Sequence, residues 1–249
     1  MPDPSPRVGV IVPAAGAGLR LGAQRAKALV WLGEQPLLAW ALAGVEANRC
    51  VECVVVVTHP STADAVTELV AARGFARVAA IVPGGPTRRA SVAAGLGALP
   101  TGPAFVAVHD ACRPLVAASA IDRLLDSLLS MEDRYGIAPG APVTDTVRRV
   151  AGGDCSGGIV DREELRAIQT PQLYVRTALE DAHRRAATGD ETGELEDAVL
   201  VEQAGYPVAV VPGEPENLKI TTPLDLLAAE ALLARSPVGQ AVVRGGARW

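Results

Sequence analysis

Val8-Gly9-Val10-Ile11-Val12-Pro13-Ala14-Ala15-Gly16-Ala17-Gly18-Leu19-Arg20, followed by Lys27, decides how the chain is read. Val8 to Val12 is apolar and rich in β-branched residues, the composition of a strand buried on both faces. Pro13 ends its ladder because proline has no amide hydrogen to donate. Past Pro13 the side chains almost vanish. Ala14, Ala15, Gly16, Ala17 and Gly18 leave backbone amides open to close approach, which suits an anionic phosphate chain. Arg20 and Lys27 add two positive charges.

Two commoner glycine-rich loops fail on spacing. A Walker A loop needs a lysine directly after its last glycine and then a hydroxyl residue, but Lys27 lies nine positions past Gly18 and precedes Ala28. A dinucleotide fingerprint needs a third glycine where Leu21 stands, and an acid at the end of the second strand, which here ends in His59.

Outward from this stretch, strand-like and helix-like patterns alternate along the 249 residues without a linker, repeat or charge block. That is the pattern of one three-layer α/β domain, spanning 7–235, with a loose tail over 236–249. Hydrophobic residues make up 49% and aromatics 3%, so Val, Leu and Ala must fill the core. A net charge of -5 speaks against general nucleic-acid binding. Cys50 and Cys53 form a C-x-x-C with no second pair or histidine pair beside it, and read as two buried thiols. No signal region or membrane-length apolar run is present, so the expected setting is the reducing cytoplasm, away from membranes.

Further strands are expected over Val51–Thr58, Arg77–Val82, Phe105–His109, Tyr135–Ala141 and Pro207–Val211. Helices are expected over Pro36–Asn48, Ser61–Ala72, Arg88–Leu99, Ser119–Leu129, Val175–Ala187, Glu194–Gln203 and Pro223–Ala234. Residues 143–166 carry short polar strands around a Gly152-Gly153 turn and read as a β-arm leaving the body.

In open α/β sheets ligands bind beyond the carboxyl ends of the strands, where the polar clusters of this chain fall. Four such ends carry the Ala14 to Lys27 loop, the Gly84-Gly85 turn with Ser91, Asp110 with Arg113, and Lys219. An acid ending a buried strand costs several kcal/mol unless paired, so Asp110 needs a partner. Arg113 is one candidate and a divalent cation another. Ser91 has no visible base, His59, His109 and His183 lack metal-ligand spacing, and His109 reads as a satisfied core histidine. The cations Arg20, Lys27 and Lys219 suit phosphoryl-type chemistry, in which a protein positions and neutralises charge. Nucleotidyl transfer follows.

The motifs Pro13-Ala14-Ala15-Gly16-x-Gly18-x-Arg20, Lys27, Gly84-Gly85-x-x-Arg88-x-x-Ser91-Val92, Val108-His109-Asp110-Ala111-x-Arg113-Pro114, Asp145-Thr146-Val147, Gln169-Thr170-Pro171-Gln172 and Asn217-x-Lys219-Ile220-Thr221 resemble the 2-C-methyl-D-erythritol 4-phosphate cytidylyltransferases. These are enzymes of non-mevalonate isoprenoid synthesis. The resemblance covers roughly Val8 to Leu233. It implies a Rossmann-like nucleotidyltransferase fold with a mostly parallel mixed sheet, and CMP transfer from CTP to methylerythritol phosphate. By the same resemblance Arg20, Lys27 and Lys219 are catalytic, while Pro13, Ala14, Ala15, Gly16, Gly18, Gly84, Gly85, Ser91 and Asp110 bind CTP. Asp110 also holds Mg²⁺. Asp110, Arg113, Thr146, Thr170 and Lys219 contact the acceptor, with Arg162 reaching in from a partner's arm in a homodimer.

The chain departs from that pattern at four places. Ala26 replaces a proline, Ala28 a glutamine-like residue, Pro86 an acid, and Leu195 the threonine before two acids. Leu195 lacks a hydroxyl for the acceptor phosphate, which leaves another polyol phosphate, such as ribitol 5-phosphate, as an alternative acceptor. A non-catalytic nucleotide-binding protein on the same scaffold is the other alternative; retention of Arg20, Lys27, Asp110 and Lys219 argues against it.

Overall fold

Strand β1 (Val8–Pro13) runs through the middle of the main sheet. Its side chains alternate: Val8, Val10 and Val12 enter the core on one face and Ile11 on the other, as the period of two in a strand requires. The computed structural model describes residues 6–16, 26–151, 155–188 and 196–235. Strand β4 (Val51–Thr58) lies parallel to β1 and repeats the alternation, with Val54 and Val56 on the first face and Cys53, Val55 and Val57 on the second. Strand β5 (Val78–Pro83) extends the sheet beyond β4, and β6 (Phe105–Val108) flanks β1 on its other side, both parallel.

Helices α1 (Leu37–Glu46), α2 (Ala63–Arg73) and α4 (Ala120–Leu129) cover the first face. In α4, Ile121, Leu124, Leu125 and Leu128 recur at helical spacing and are all buried. Helices α3 (Arg88–Ala98), α5 (Arg176–Thr188) and α6 (Asp197–Gln203) cover the second. Each fully buried Val or Leu contributes roughly 1.5–3 kcal/mol, so a core with few aromatics suffices. Gly95 lets α3 close on the sheet: a Cβ there would stand 2.5 Å from Ile11 Cγ2. This is the expected three-layer α/β arrangement.

Beyond β6 the sheet turns mixed. Strand β7 (Gly136–Pro142) has β12 (Val208–Pro212) parallel on one edge. On its other edge lie β10 (Arg166–Ile168) and β11 (Gln172–Val175), both antiparallel, and β11 also pairs with β6. Ile137 to Gly140 is three steps along β7, but the facing residues Leu173 to Ile168 are five apart. The surplus of two residues falls within Gln169-Thr170-Pro171, where Gln169 N still donates to Pro139 O at 2.7 Å and the chain then bulges through a cis Thr170–Pro171 bond. This excursion carries Thr170 toward the carboxyl end of β6.

The expected arm, 143–166, runs one residue too far, because Arg166 already belongs to β10 and pairs with Pro142 in the main sheet. Among the described residues, strands β8 (Val147–Ala151) and β9 (Cys155–Val160) pair only with each other, and Val150 and Ile159 stand 69% and 71% exposed. A small third core joins Leu32, Leu37, Trp40, Ile220 and Ala229, which seats α7 (Pro223–Arg235). It includes a hairpin that sequence reading misses, β2 (Trp31–Leu32) with β3 (Gln35–Pro36). Strand β11 is also missed, because it runs without a turn signal into α5. The C-x-x-C thiols Cys50 and Cys53 are free and buried, as expected. Among the described residues no helix is long and apolar enough to cross a membrane.

Candidate active site

The carboxyl ends of β1, β4, β5 and β6 open into a cavity of about 910 Å³. Its floor begins where β1 gives out: Ala14 donates its amide to Val57 O at 2.7 Å, which holds the small-residue stretch over the sheet edge. Lys27 N then donates to Gly16 O at 3.2 Å, so Gly16 and Lys27 stand side by side at the cavity wall. Gly18 and Arg20 lie outside the described residues. Ala28, where the resembling motif has a glutamine-like residue, is packed into the core and borders the cavity.

The second wall is the turn after β5. Gly84 N donates to Thr58 O at 2.8 Å, and a Cβ on Gly84 would fall 2.8 Å from Ala15 Cβ and 2.9 Å from Ser91 Oγ. Glycine is therefore what lets the two loops touch. Ser91 Oγ accepts from Gly85 N at 3.2 Å and donates to Thr87 O at 3.0 Å, ordering the turn at the start of α3. Pro13, Ala14, Ala15, Gly16, Lys27, Gly84, Gly85, Ser91, Asp110 and Lys219 all line this one cavity.

A smaller cavity of about 210 Å³ adjoins it, lined by Arg88, Asp110, Arg113, Ile168, Thr170, Glu196 and Lys219. Arg88, Asp110 and Lys219 belong to both linings. Lys219 Nζ is 2.7 Å from Asp110 Oδ2, Arg88 Nε is 3.4 Å from Asp110 Oδ1, and Asp110 N donates to Thr170 Oγ1 at 3.0 Å. Burial alone would raise the Asp110 pKa; Arg88 and Lys219 outweigh it and hold the carboxyl well below the usual carboxylate range.

Arg113 is thus not the ion-pair partner of Asp110. Its backbone amide closes the turn on Asp110 O at 3.0 Å. Its guanidinium goes elsewhere, donating to Asn217 O at 2.7 Å and Ile168 O at 3.1 Å. The nearer acid in sequence loses to two carbonyls that no spacing rule reveals. His109 is the core histidine expected of it: wholly buried, within 3.1 Å of Arg113 O and 3.3 Å of Thr170 Oγ1, with burial pushing its pKa down to about 4.

The sequence by itself assigns no role to Arg88, Asp197, Glu196 or His183. Arg88 Nη1 lies 2.6 Å from Asp197 Oδ2, and Asp197 Oδ1 lies 3.0 Å from His183 Nε2. Arg88 stood in plain view within Gly84-Gly85-x-x-Arg88, but its partners come from distant elements. Asp197 pushes the arginine pKa up against the desolvation of burial, with Asp110 adding to it. Glu196 accepts a short hydrogen bond from Gln172 Nε2.

Thr146 and Arg162 line neither cavity. Both sit exposed on the arm, where Arg162 Nη1 donates to Thr144 O at 2.5 Å. Among the described residues no group of three or more His, Cys, Asp or Glu side chains converges as a metal cage. Among the described residues lining the larger cavity, Asp110 is the one carboxylate. That fits a hard cation such as Mg²⁺, which takes one or two carboxylates and fills its remaining positions with phosphate oxygens and water.

The family model described as "IspD: 2-C-methyl-D-erythritol 4-phosphate cytidylyltransferase" matches residues 8–235. The chain is 42% identical over 237 residues to the 2-C-methyl-D-erythritol 4-phosphate cytidylyltransferase of Streptomyces coelicolor, covering 92% of this chain and 86% of that one. It is 43% identical over 234 residues to the bifunctional enzyme IspD/IspF of Clavibacter michiganensis, covering 92% of this chain and 55% of the longer relative. Among solved structures, the 2-C-methyl-D-erythritol 4-phosphate cytidylyltransferase of Thermus thermophilus superposes with a TM-score of 0.72 at 34% identity, over 91% of this chain and 98% of that one. Fold, motif order and sequence agree over the whole described body, and the chain belongs to the 2-C-methyl-D-erythritol 4-phosphate cytidylyltransferase family.

Proposed function

We propose that this protein transfers CMP from CTP to 2-C-methyl-D-erythritol 4-phosphate, giving 4-diphosphocytidyl-2-C-methyl-D-erythritol and pyrophosphate. The observation that carries the reading, beside family membership, is the junction of two unequal cavities at Arg88, Asp110 and Lys219. The larger falls within the ~300–1,000 Å³ usual for small-molecule sites and suits a nucleoside triphosphate. The smaller suits a five-carbon polyol phosphate.

Cytosine and ribose would lie against the backbone of Ala14, Ala15 and Gly16 and the Gly84-Gly85 turn, whose close contact leaves room for a pyrimidine rather than a purine. Lys27 faces the triphosphate, joined by Arg20 in the role its motif implies. The acceptor would enter beside Arg113 and Thr170. A phosphate oxygen of the acceptor attacks the α-phosphorus of CTP in line; the bond from that phosphorus to the bridging oxygen breaks, and pyrophosphate leaves with the electron pair. No general base is needed, because a phosphate monoester with a second pKa of about 6 is already mostly a dianion at pH 7. Lys27 and Lys219 neutralise the charge gathering on the five-coordinate phosphorus and the leaving group. Mg²⁺, held by Asp110 and the triphosphate, would supply further charge neutralisation.

The arm supports a homodimer. An isolated two-stranded ribbon is marginal in water, and the exposed Val150 and Ile159 offer a second copy something to cover. Arg162 would then reach the partner's acceptor site. The free thiols Cys50, Cys53 and Cys112 support a reducing, cytoplasmic setting.

Pyrophosphate release from CTP, with methylerythritol phosphate and ribitol 5-phosphate offered separately, tests the reading. Turnover with methylerythritol phosphate is expected. Turnover with the ribitol ester alone would overturn the choice of acceptor, and none with either would overturn the enzyme.

A further inference from the structure

Behind the junction of the two cavities runs a line of charges of which the proposed reaction uses only the Asp110–Lys219 end. His183 from α5 meets Asp197 at the start of α6, Asp197 meets Arg88 at the start of α3, and Arg88 meets Asp110, which meets Lys219. The contacts are unequal: Arg88 stands 2.6 Å from Asp197 but 3.4 Å from Asp110. The short charged contact is the firm one and the long one is easily given up. Asp197 is wholly buried, and both its oxygens are engaged.

We propose that Asp197, itself held by His183, is a positioning residue that anchors Arg88 at the seam, so that its guanidinium can leave Asp110 for the incoming acceptor phosphate. The inference rests on the assignment of the smaller cavity to the acceptor. Without Asp197, Arg88 would face Asp110 alone and settle on it, cancelling one charge that the acceptor site needs. His183 completes the anchor: its Nε2 hydrogen occupies the second oxygen of Asp197, so the first is left aimed at Arg88. His183 Nδ1 is buried without a hydrogen-bond partner among the described residues. The ring is therefore placed there for the one bond it makes. A carboxylate fixed from behind can hold an arginine within the narrow tolerance that substrate alignment demands.

The test compares wild type with Asp197→Asn, His183→Gln and His183→Leu. Steady-state rates give the KM for methylerythritol phosphate, and calorimetry gives the Kd for CTP. Asp197→Asn should raise the acceptor KM about tenfold or more, while the CTP Kd moves less than about twofold. Glutamine restores an N–H toward Asp197, so His183→Gln should stay near wild type, whereas His183→Leu should follow Asp197→Asn. An unchanged acceptor KM in Asp197→Asn, or a glutamine variant as impaired as the leucine one, overturns the proposal. Should Asp197→Asn fail to fold, the two His183 variants decide alone. Should wild type turn over no methylerythritol phosphate, the proposed function falls, and crystal structures of the variants decide here. Arg88 shifted onto Asp110 in Asp197→Asn or His183→Leu supports the anchor, and Arg88 unmoved in both rejects it.

Discussion

Lys219 Nζ rests 2.7 Å from Asp110 Oδ2, although one residue precedes α7 and the other follows β6. The pairing is built from behind: Ile220 is wholly buried in the small third core and donates its amide to Cys112 O at 2.9 Å, so the residue before it is presented beside the turn after β6. With its side chain 43% exposed, Lys219 adds little to stability. Its value is as a cation parked on a carboxylate until phosphate arrives. Lys219→Ala should therefore lower kcat by about a hundredfold or more while the melting temperature stays within a few degrees. A large drop in melting temperature with kcat intact would reverse that assignment.

Lys27 makes the same kind of contribution from the opposite wall. Its backbone bond to Gly16 does not depend on the side chain, so Lys27→Ala should leave the loop in place. Loss of one preorganised charge contact costs about two to three powers of ten in turnover. Single-turnover rates of pyrophosphate release measure it, and a rate equal to wild type would remove Lys27 from the chemistry.

His109 ties stability to pH. Burial lowers its pKa from 6.5 to about 4, so the unfolded chain takes up a proton at pH values where the folded protein still refuses it. Stability is then complete above about pH 6.5 and declines as pH falls toward 4, by roughly 3 kcal/mol at most. Urea unfolding across that interval should show wild type losing more than His109→Gln. Parallel curves for the two proteins would contradict the burial account.

The arm carries a separate expectation. If Val150 and Ile159 are covered by a second copy, Ile159→Lys should convert a dimer to a single chain in light scattering and raise the acceptor KM, because Arg162 would no longer reach across. A wild-type protein that is already monomeric would dismiss both effects.

Much of this architecture could be read from the residues in order. The apolar runs of β1 and β4 are long enough to declare strands buried on both faces, and the spacing of Ile121, Leu124, Leu125 and Leu128 declares a helix face. Strand β11 was not legible, because Gln172-Leu173-Tyr174-Val175 passes into α5 without a breaker. Nor was the bulge at Gln169-Thr170-Pro171, which exists only relative to its neighbour β7. The candidate site divides the same way. Residues at strand ends announced themselves, since polar groups there interrupt apolar runs. The partners of Asp110 did not: sequence proximity suggests Arg113, and the fold supplies Arg88 from before it in the chain and Lys219 from well after it. Asp197 and His183 sit on helices whose own patterns give no hint that they face an arginine on α3.

The most direct measurement is a crystal structure of the protein with CTP, Mg²⁺ and methylerythritol phosphate, using Lys27→Ala to slow turnover. The account predicts the triphosphate along Ala14 to Gly16, the acceptor beside Arg113 and Thr170, and the α-phosphorus meeting the acceptor phosphate next to Asp110 and Lys219. An acceptor bound away from the smaller cavity, or two ligands whose phosphates do not meet at that pair, would contradict it.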